Sequence, residues 1–135
     1  MRRSLRVSLI VMICGGLISL GYFLIVAGPR ADMEARLRLV RSVPVSEDAD
    51  PVESGTDGSW FCVSPSCIET WAFSVWSYPD AKSACEDANR LGETWADPGT
   101  VTYWDPCGWS GSVEGRAVTV SVDTQDMPPH VYVNA

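Results

Sequence analysis

Four cysteines provide the clearest chemistry in this sequence: Cys62, Cys67, Cys85 and Cys107. Four cysteines allow three pairings, and disulfides are typical of small domains in oxidising compartments. Cys85 lies on the apolar stripe of a predicted helix, so a partner on the Pro106–Gly108 turn would join that helix to the strand region. We therefore predict the disulfides Cys62–Cys67 and Cys85–Cys107, with the two crossed pairings as alternatives.

The same thiols are candidates for zinc binding or redox chemistry, but their spacing favours neither role. A structural zinc site usually has two closely spaced cysteine pairs, and only Cys62 and Cys67 form such a pair. The Cys-x-x-Cys motif of thiol oxidoreductases does not occur in the sequence. We therefore expect structural disulfides, no metal site and no cofactor. The fifth cysteine, Cys14, lies in an apolar run and is interpreted as a small packing residue.

The other residues that could do chemistry form no catalytic motif. The single histidine, His130, stands beside two prolines, and no positioned partner is predicted for it. The nucleophile motif G-x-S-x-G does not occur, and the glycine-rich string from Gly108 to Gly115 lacks the lysine of a phosphate loop. The carboxylates do not follow calcium-loop spacing. The sequence therefore predicts no catalytic residue and a protein that is not an enzyme.

Six tryptophans, all after position 59, are the residues best suited to binding. Trp71 is assigned, with Phe73, to the inward face of a predicted strand. Trp76 points the other way, and three further tryptophans lie in or beside loops rich in glycine, proline and aspartate. Aromatic rings beside acids suit stacking on a sugar or the capture of a partner's apolar group. The candidate binding face therefore consists of Trp76, Trp95, Trp104 and Trp109, with core packing as the alternative role.

An uncharged apolar run spans residues 7–27, between Arg6 and Arg30. As an α-helix this run would measure about 31 Å, close to the roughly 30 Å of a hydrocarbon core. We predict a transmembrane helix over 7–27, preceded by a short cytoplasmic N-terminus at 1–6. A cleaved signal peptide is the alternative, although its apolar region is usually about 7–15 residues long and ends at a small-x-small site.

Charge is distributed unevenly along the chain. Residues 1–42 carry a net charge of +5 and residues 43–135 a net charge of −12. Arginines flank the apolar run on both sides, so the positive-inside rule alone does not orient it. The charge asymmetry and the cysteines favour a single-pass signal-anchor in the cell membrane, with the C-terminal domain outside. The acidic domain disfavours nucleic acid as a partner.

Two connecting segments are predicted between the apolar run and the folded unit. Residues 28–42 predict a juxtamembrane helix, because apolar side chains recur at helical spacing among arginines: Met33, Leu37 and Val40. Residues 43–59 are rich in proline, glycine, serine and acids, a composition typical of a flexible linker. The folded unit is then expected at residues 60–135, a size at which disulfides usually add necessary stability.

The folded unit is predicted to be a small α+β domain with the element order β-α-β-β-β. Strands are expected where apolar residues alternate, at residues 69–76, 100–104, 116–122 and 131–133. A helix begins at Tyr78-Pro79 and ends at Gly92, interpreted as a C′ glycine. The alanines of this helix would let it pack closely on a mainly antiparallel sheet.

Together these features favour a membrane-anchored interaction or accessory module outside the cell. Its expected partners are the lipid bilayer and a protein at the cell surface. The first alternative is glycan or cell-wall binding through the tryptophans. The second is a small secreted enzyme or inhibitor that signal cleavage would release.

Overall fold

The computed structural model describes residues 2–58 and 71–135. The elements in chain order are α1 (Arg2–Tyr22), a π-helical turn (Phe23–Ala27), α2 (Gly28–Arg41), β1 (Asp50–Asp57), β2 (Trp71–Ser77), α3 (Ala81–Thr94), β3 (Thr102–Asp105), β4 (Gly108–Val113), β5 (Arg116–Asp123) and β6 (His130–Asn134). The six strands form one antiparallel sheet in the order β1-β2-β6-β5-β4-β3. The prediction of a small α+β domain with an antiparallel sheet is confirmed.

The predicted element order β-α-β-β-β is wrong. After α2 the order is β-β-α-β-β-β-β, and the prediction lacks β1 and β4. The sequence of β4, Gly-Trp-Ser-Gly-Ser-Val, has too few large apolar residues to alternate visibly. It forms a strand because its two neighbours, β3 and β5, satisfy its backbone on both sides.

One face of the sheet forms the core beneath α2 and α3. Val118 and Val120 point inward from β5 and are almost completely buried. Burying each such side chain contributes about 1.5–3 kcal/mol. The fully buried side chains of this core include Ala72, Ala84, Ala88, Leu91, Trp109, Val131 and Val133.

Helix α2 belongs to the folded domain. Val40 is completely buried in the core. Near the start of α2, Asp32 forms an ion pair with Arg116 of β5. At its end, Arg41 donates a hydrogen bond to Ser54 of β1 at 3.0 Å. The segment 28–42, predicted as a juxtamembrane helix, is therefore helical but packs against the sheet.

The predicted flexible linker at 43–59 differs from the structure over its described residues, 43–58. Val43 is only 6 % exposed, and β1 pairs along its length with β2. Because β1 is acidic and contains Pro51, its sequence resembles that of a flexible segment. Proteins commonly use charged residues, proline and bulges to protect a sheet edge, and β1 is such an edge.

Residues 2–41 are helical throughout, but not as one regular α-helix. The N–H of Gly28 donates to the carbonyl of Phe23, the spacing of a π-helix. Pro29 follows, and proline has no N–H with which to continue the α-helical pattern. The prediction of one regular helix over 7–27 therefore differs from the structure. In the part of the chain that the structure describes, we find no helix with the length and apolarity needed to span a membrane.

Helix α3 begins and ends differently from the prediction. Its N-cap is Asp80, whose carboxylate accepts a hydrogen bond from the N–H of Ser83 at 2.8 Å. It continues two residues past Gly92 to Thr94. Gly92 is therefore an internal helix residue and not a C′ glycine.

Gly92 allows α3 to approach the sheet closely. A Cβ atom at this position would lie 2.8 Å from the Tyr103 hydroxyl and 3.2 Å from Nε1 of Trp109. Contacts this short are not tolerated without movement. The glycine is thus required by packing, which explains why it occurs inside a helix that it would otherwise weaken.

The predicted orientation of β2 is reversed. Ala72 and Ser74 face the core and are buried, whereas Trp71 and Phe73 lie half-buried on the opposite face. The strand is apolar on both faces, so alternation alone does not choose between them. Small residues face inward because α2 lies close to this part of the sheet.

Candidate functional site

The disulfide Cys85–Cys107 is present, which confirms the corresponding prediction. The two Cα atoms are 4.8 Å apart, and the bond joins α3 to the turn between β3 and β4. Cys62 and Cys67, the other predicted pair, lie outside the described residues. Cys14 is a free, exposed cysteine on α1.

The four tryptophans of the predicted binding face do not share one surface. Trp109 has no exposed area, and its Nε1 donates to the carbonyl of Ala88 at 2.8 Å. Trp76 and Trp95 are partly buried and pack against the core. Trp104 is 56 % exposed. The predicted grouping is therefore wrong for Trp109, which is a core residue, and leaves Trp104 as the accessible ring.

An exposed aromatic pair, Tyr103 and Trp104, lies on the outer strand β3; we call it the aromatic edge. Tyr103 is 49 % exposed, and the Trp104 ring covers Gly108, where a Cβ atom would come within 2.8 Å of it. Tyr103 was not predicted as a binding residue. The sequence signal available was that Tyr103 directly precedes Trp104. Gly108, a few residues later, leaves room for the Trp104 ring.

The turn beside the aromatic edge is fixed to α3. Besides the disulfide, Asn89 donates from Nδ2 to the carbonyl of Pro106 at 3.1 Å. The N–H of Cys107 donates to the Asp105 carboxylate at 3.1 Å. These contacts hold the β3–β4 turn in one arrangement, so Trp104 is presented from a rigid support.

A second polar cluster surrounds Asp87, which is 5 % exposed. Its carboxylate accepts hydrogen bonds from the Tyr78 hydroxyl at 2.5 Å, the Ser46 N–H at 2.9 Å and Nε of Arg90 at 2.7 Å. Arg90 also donates to the carbonyl of Pro44 at 2.6 Å. Burial, followed by the hydrogen bond to Asp87, raises the pKa of Tyr78. Through these hydrogen bonds, Asp87 and Arg90 of α3 hold the segment that follows α2, which contains Pro44 and Ser46.

Asp97 fastens the turn between β4 and β5. Its carboxylate accepts hydrogen bonds from the N–H of Gly115 at 2.9 Å, the Ser112 hydroxyl at 2.7 Å and the N–H of Glu114 at 3.1 Å. The Gly115 and Ser112 donors lower the pKa of Asp97. Both turn residues have positive φ, 53° at Glu114 and 73° at Gly115, so this contact stabilises a conformation unusual for glutamate.

His130 begins β6, where Ser77 and Asp123 lie directly opposite it on the two flanking strands. Its Nδ1 atom is buried and has no hydrogen-bond partner among the residues that the structure describes. Among the described residues no group of three histidine, cysteine or acidic side chains is placed to hold a metal ion. We assign no catalytic role to His130, Ser77 and Asp123.

The aromatic edge is therefore the surface feature best suited to binding. It lies beside the exposed carboxylate of Asp105 and is rigidly attached to the core through α3. No protein-family model, curated protein or solved structure matches this chain.

Proposed function

We propose that this protein is a membrane-anchored, non-enzymatic interaction module that binds a protein partner outside the cell through the aromatic edge. The observation that carries the proposal is the exposure of the Trp104 ring on an outer strand, next in sequence to Tyr103, which is 49 % exposed. Tryptophan and tyrosine dominate the energetic centres of protein interfaces, because a large apolar area is buried for few rotatable bonds.

The rigid support of the aromatic edge favours binding. The disulfide and the Asn89–Pro106 hydrogen bond fix the β3–β4 turn on α3. A partner would therefore not have to order this turn, which lowers the entropic cost of association.

The charge of the domain favours a basic partner. Residues 43–135 contain three basic side chains, and each forms an ion pair within the chain: Lys82 with Glu86, Arg90 with Asp87, and Arg116 with Asp32. Most of the fifteen acids in this region remain as net negative charge. Such a field accelerates association with a positively charged surface and weakens as salt is added.

The membrane location is part of the proposal and is supported by the apolar segment. On its described part, large apolar side chains are more than half exposed around the helix: Val11, Met12, Ile13, Leu17, Ile18, Leu20, Phe23 and Leu24. An isolated helix with such a surface needs an apolar environment. Because α2 follows directly and packs on the sheet, the anchored domain would lie close to the bilayer, without a long linker.

Glycan or cell-wall binding is the second candidate, supported by two exposed residues that are neighbours in sequence. The exposed ring of Trp104 adjoins the exposed carboxylate of Asp105. A ring suits stacking on a sugar, and a carboxylate accepts hydrogen bonds from sugar hydroxyls.

The experiment is affinity capture of the full chain from cross-linked native membranes. It compares the unchanged protein with Trp104→Ala and with Met127→Ala, a control because Met127 is an apolar residue that is 91 % exposed elsewhere. We expect one protein partner with the unchanged chain and the control, and about tenfold less with Trp104→Ala. Equal recovery from all three would contradict the proposal. Trp104-dependent retention on cell-wall polysaccharide, with no protein partner, would favour the glycan candidate instead.

A further inference from the structure

A recess of about 480 Å³, here called the polar recess, opens beside the turn between β5 and β6. Val120 and Val131 of these strands are buried in the core, and side chains alternate between the two faces of a sheet along each strand. The intervening residues therefore point to the face turned away from α2 and α3, where Ser121 and Tyr132 lie directly opposite each other. The recess is lined by Ser121, Val122, Asp123, Thr124, Gln125 and Tyr132.

The polar recess lies at one end of the strands, far from the point at which the described chain resumes. His130 pairs with Asp123 on one side and with Ser77 on the other, so Ser77 marks the level of the recess on β2. The chain is described again from Trp71, six residues before Ser77, or about 20 Å along an extended strand. Described residues alone line the recess.

The side chains of the polar recess carry hydrogen-bonding groups that the described protein leaves available. In the part of the chain that the structure describes, no side-chain hydrogen bond is formed by Ser121, Thr124, Gln125 or Tyr132. The Asp123 carboxylate accepts one from the N–H of Gln125 at 2.8 Å, and among the described residues it forms no ion pair. The recess therefore offers hydroxyls and an amide that both donate and accept, and a carboxylate that accepts.

The ring of Tyr132 provides one aromatic wall. His130, two residues earlier on the same face of β6, packs beside it with ring centroids 6.3 Å apart and planes inclined at 55°. This separation is within the range of about 4.5–7 Å that is typical of aromatic pairs. The Tyr132 ring is therefore supported from one side and can present its free surface to a ligand.

We propose that the polar recess binds a neutral saccharide. A pyranose ring has hydroxyls that pair with the carboxylate of Asp123 and the amide of Gln125, and an apolar C–H face that packs on Tyr132. An apolar ligand would leave these polar groups unpaired. An anionic ligand would meet the carboxylate in a described lining that contains no lysine, arginine or histidine. The volume is within the range of roughly 300–1,000 Å³ that is usual for ligand pockets.

This inference goes beyond the proposed function, and the two fail separately. The polar recess lies on β5, β6 and the turn between them, and its lining contains neither Tyr103 nor Trp104. Absence of saccharide binding at the recess would therefore leave the capture experiment with Trp104→Ala unaffected.

The test measures saturation-transfer NMR of soluble probes with the full chain in phosphatidylcholine nanodiscs. Three neutral trisaccharides are used: cellotriose and triacetylchitotriose, as units of structural polysaccharides, and mannotriose, as a unit of glycoprotein glycans. We expect saturable transfer to at least one of them, with a Kd of about 1 mM or lower, and none to anionic trigalacturonate. The trisaccharide that binds distinguishes the two sources.

Three outcomes of this measurement would overturn the proposal. The first is the absence of saturable transfer to every neutral trisaccharide. The second is equal transfer to trigalacturonate, which would show nonspecific association. The third is transfer to Nα-acetyl-lysine methylamide alone, which would show that the recess accepts a basic side chain of a protein and not a sugar.

Neighbouring residues of the β5–β6 turn provide matched variants. Gln125→Ala removes an exposed amide of the lining and should weaken saccharide binding about fivefold. Asp126→Ala changes an exposed residue outside the lining and should leave affinity within about twofold. Tyr132→Val should weaken binding about tenfold through loss of the aromatic wall, and the Gln125 comparison decides the matter even where this variant does not fold. Equal affinity of Gln125→Ala and Asp126→Ala would overturn the proposal.

Discussion

The Tyr78 hydroxyl donates a 2.5 Å hydrogen bond to the Asp87 carboxylate, and both side chains are almost completely buried. Tyr78 follows β2 and Asp87 lies within α3. The bond therefore joins the sheet to the helix that supports the aromatic edge. Ser46 and Arg90 complete the environment of the carboxylate, so a buried charge is both paired and hydrogen-bonded.

Removing the charge of Asp87 should destabilise the domain substantially. In Asp87→Asn the amide no longer pairs with Arg90 and places a donor group where hydrogen bonds were accepted. We expect a loss of about 2–4 kcal/mol in the free energy of unfolding, measured by denaturant titration. Glu86→Gln is the matched control, because its neighbouring, exposed ion pair with Lys82 should contribute less than about 0.5 kcal/mol. Similar losses in both variants would contradict this account of Asp87.

Tyr78 should make the domain sensitive to alkali. Burial and the nearby Asp87 raise the pKa of Tyr78 above its ordinary value of 10.0. A raised folded-state pKa means that the folded protein holds this proton more tightly than the unfolded chain does. The stabilisation is therefore complete below pH 10 and is lost as pH rises above it. Melting temperatures between pH 9 and 11.5, a range of about one to two units around that value, should fall more steeply for the unchanged protein than for Tyr78→Phe. Parallel curves would refute the assignment.

Asp97 should contribute stability that is lost in acid. The Gly115 N–H and the Ser112 hydroxyl lower its pKa below 3.8, so the contribution is complete above that value and disappears as pH falls through the folded-state pKa. In Asp97→Asn this part of the acid dependence should be absent. At neutral pH the amide of Gly115 should exchange about tenfold faster in Asp97→Ala. In Glu114→Gln, which keeps the Asp97 contacts, the Gly115 amide should exchange at the normal rate. An unchanged rate in Asp97→Ala would contradict the role of Asp97 in stabilising the β4–β5 turn.

Gly92→Ala should reverse the usual effect of this substitution. Alanine normally stabilises a helix by about 1 kcal/mol relative to glycine. Here the new Cβ atom would meet the Tyr103 hydroxyl and Trp109, so we expect a net loss of about 1–3 kcal/mol. Adding Tyr103→Phe removes the shortest contact and should recover part of the lost stability, as measured by thermal unfolding. A more stable Gly92→Ala protein would show that α3 does not need this close approach.

The sequence predicts the parts of the fold that depend on local pattern. Alternation in β5 places Val118 and Val120 in the core, and the apolar stripe of α3 places Cys85 where it meets Cys107. These predictions succeed because one face of each element is distinctly more apolar than the other. The same reasoning fails for β2, where both faces are apolar and the packing of α2 determines which one is buried.

The remaining differences arise from contacts between segments far apart in sequence. Strand β1 has the composition of a linker, and its pairing with β2 is what makes it a strand. Trp109 lies in a glycine-rich stretch that resembles a loop, yet its Nε1 hydrogen bond to Ala88 places it in the core. The exposure of Trp104 could be anticipated from neighbouring Asp105 and Pro106, but that of Tyr103 depends on the edge position of β3.

The most direct test of the proposed function is photo-cross-linking from the aromatic edge in native membranes. The full chain carries p-benzoylphenylalanine in place of Trp104, or in place of the exposed control residue Met127. We predict one cross-linked protein partner from position 104, with at least about tenfold lower yield from position 127. Equal yields from both positions, or no protein adduct at position 104, would contradict the proposal that the aromatic edge binds a protein partner.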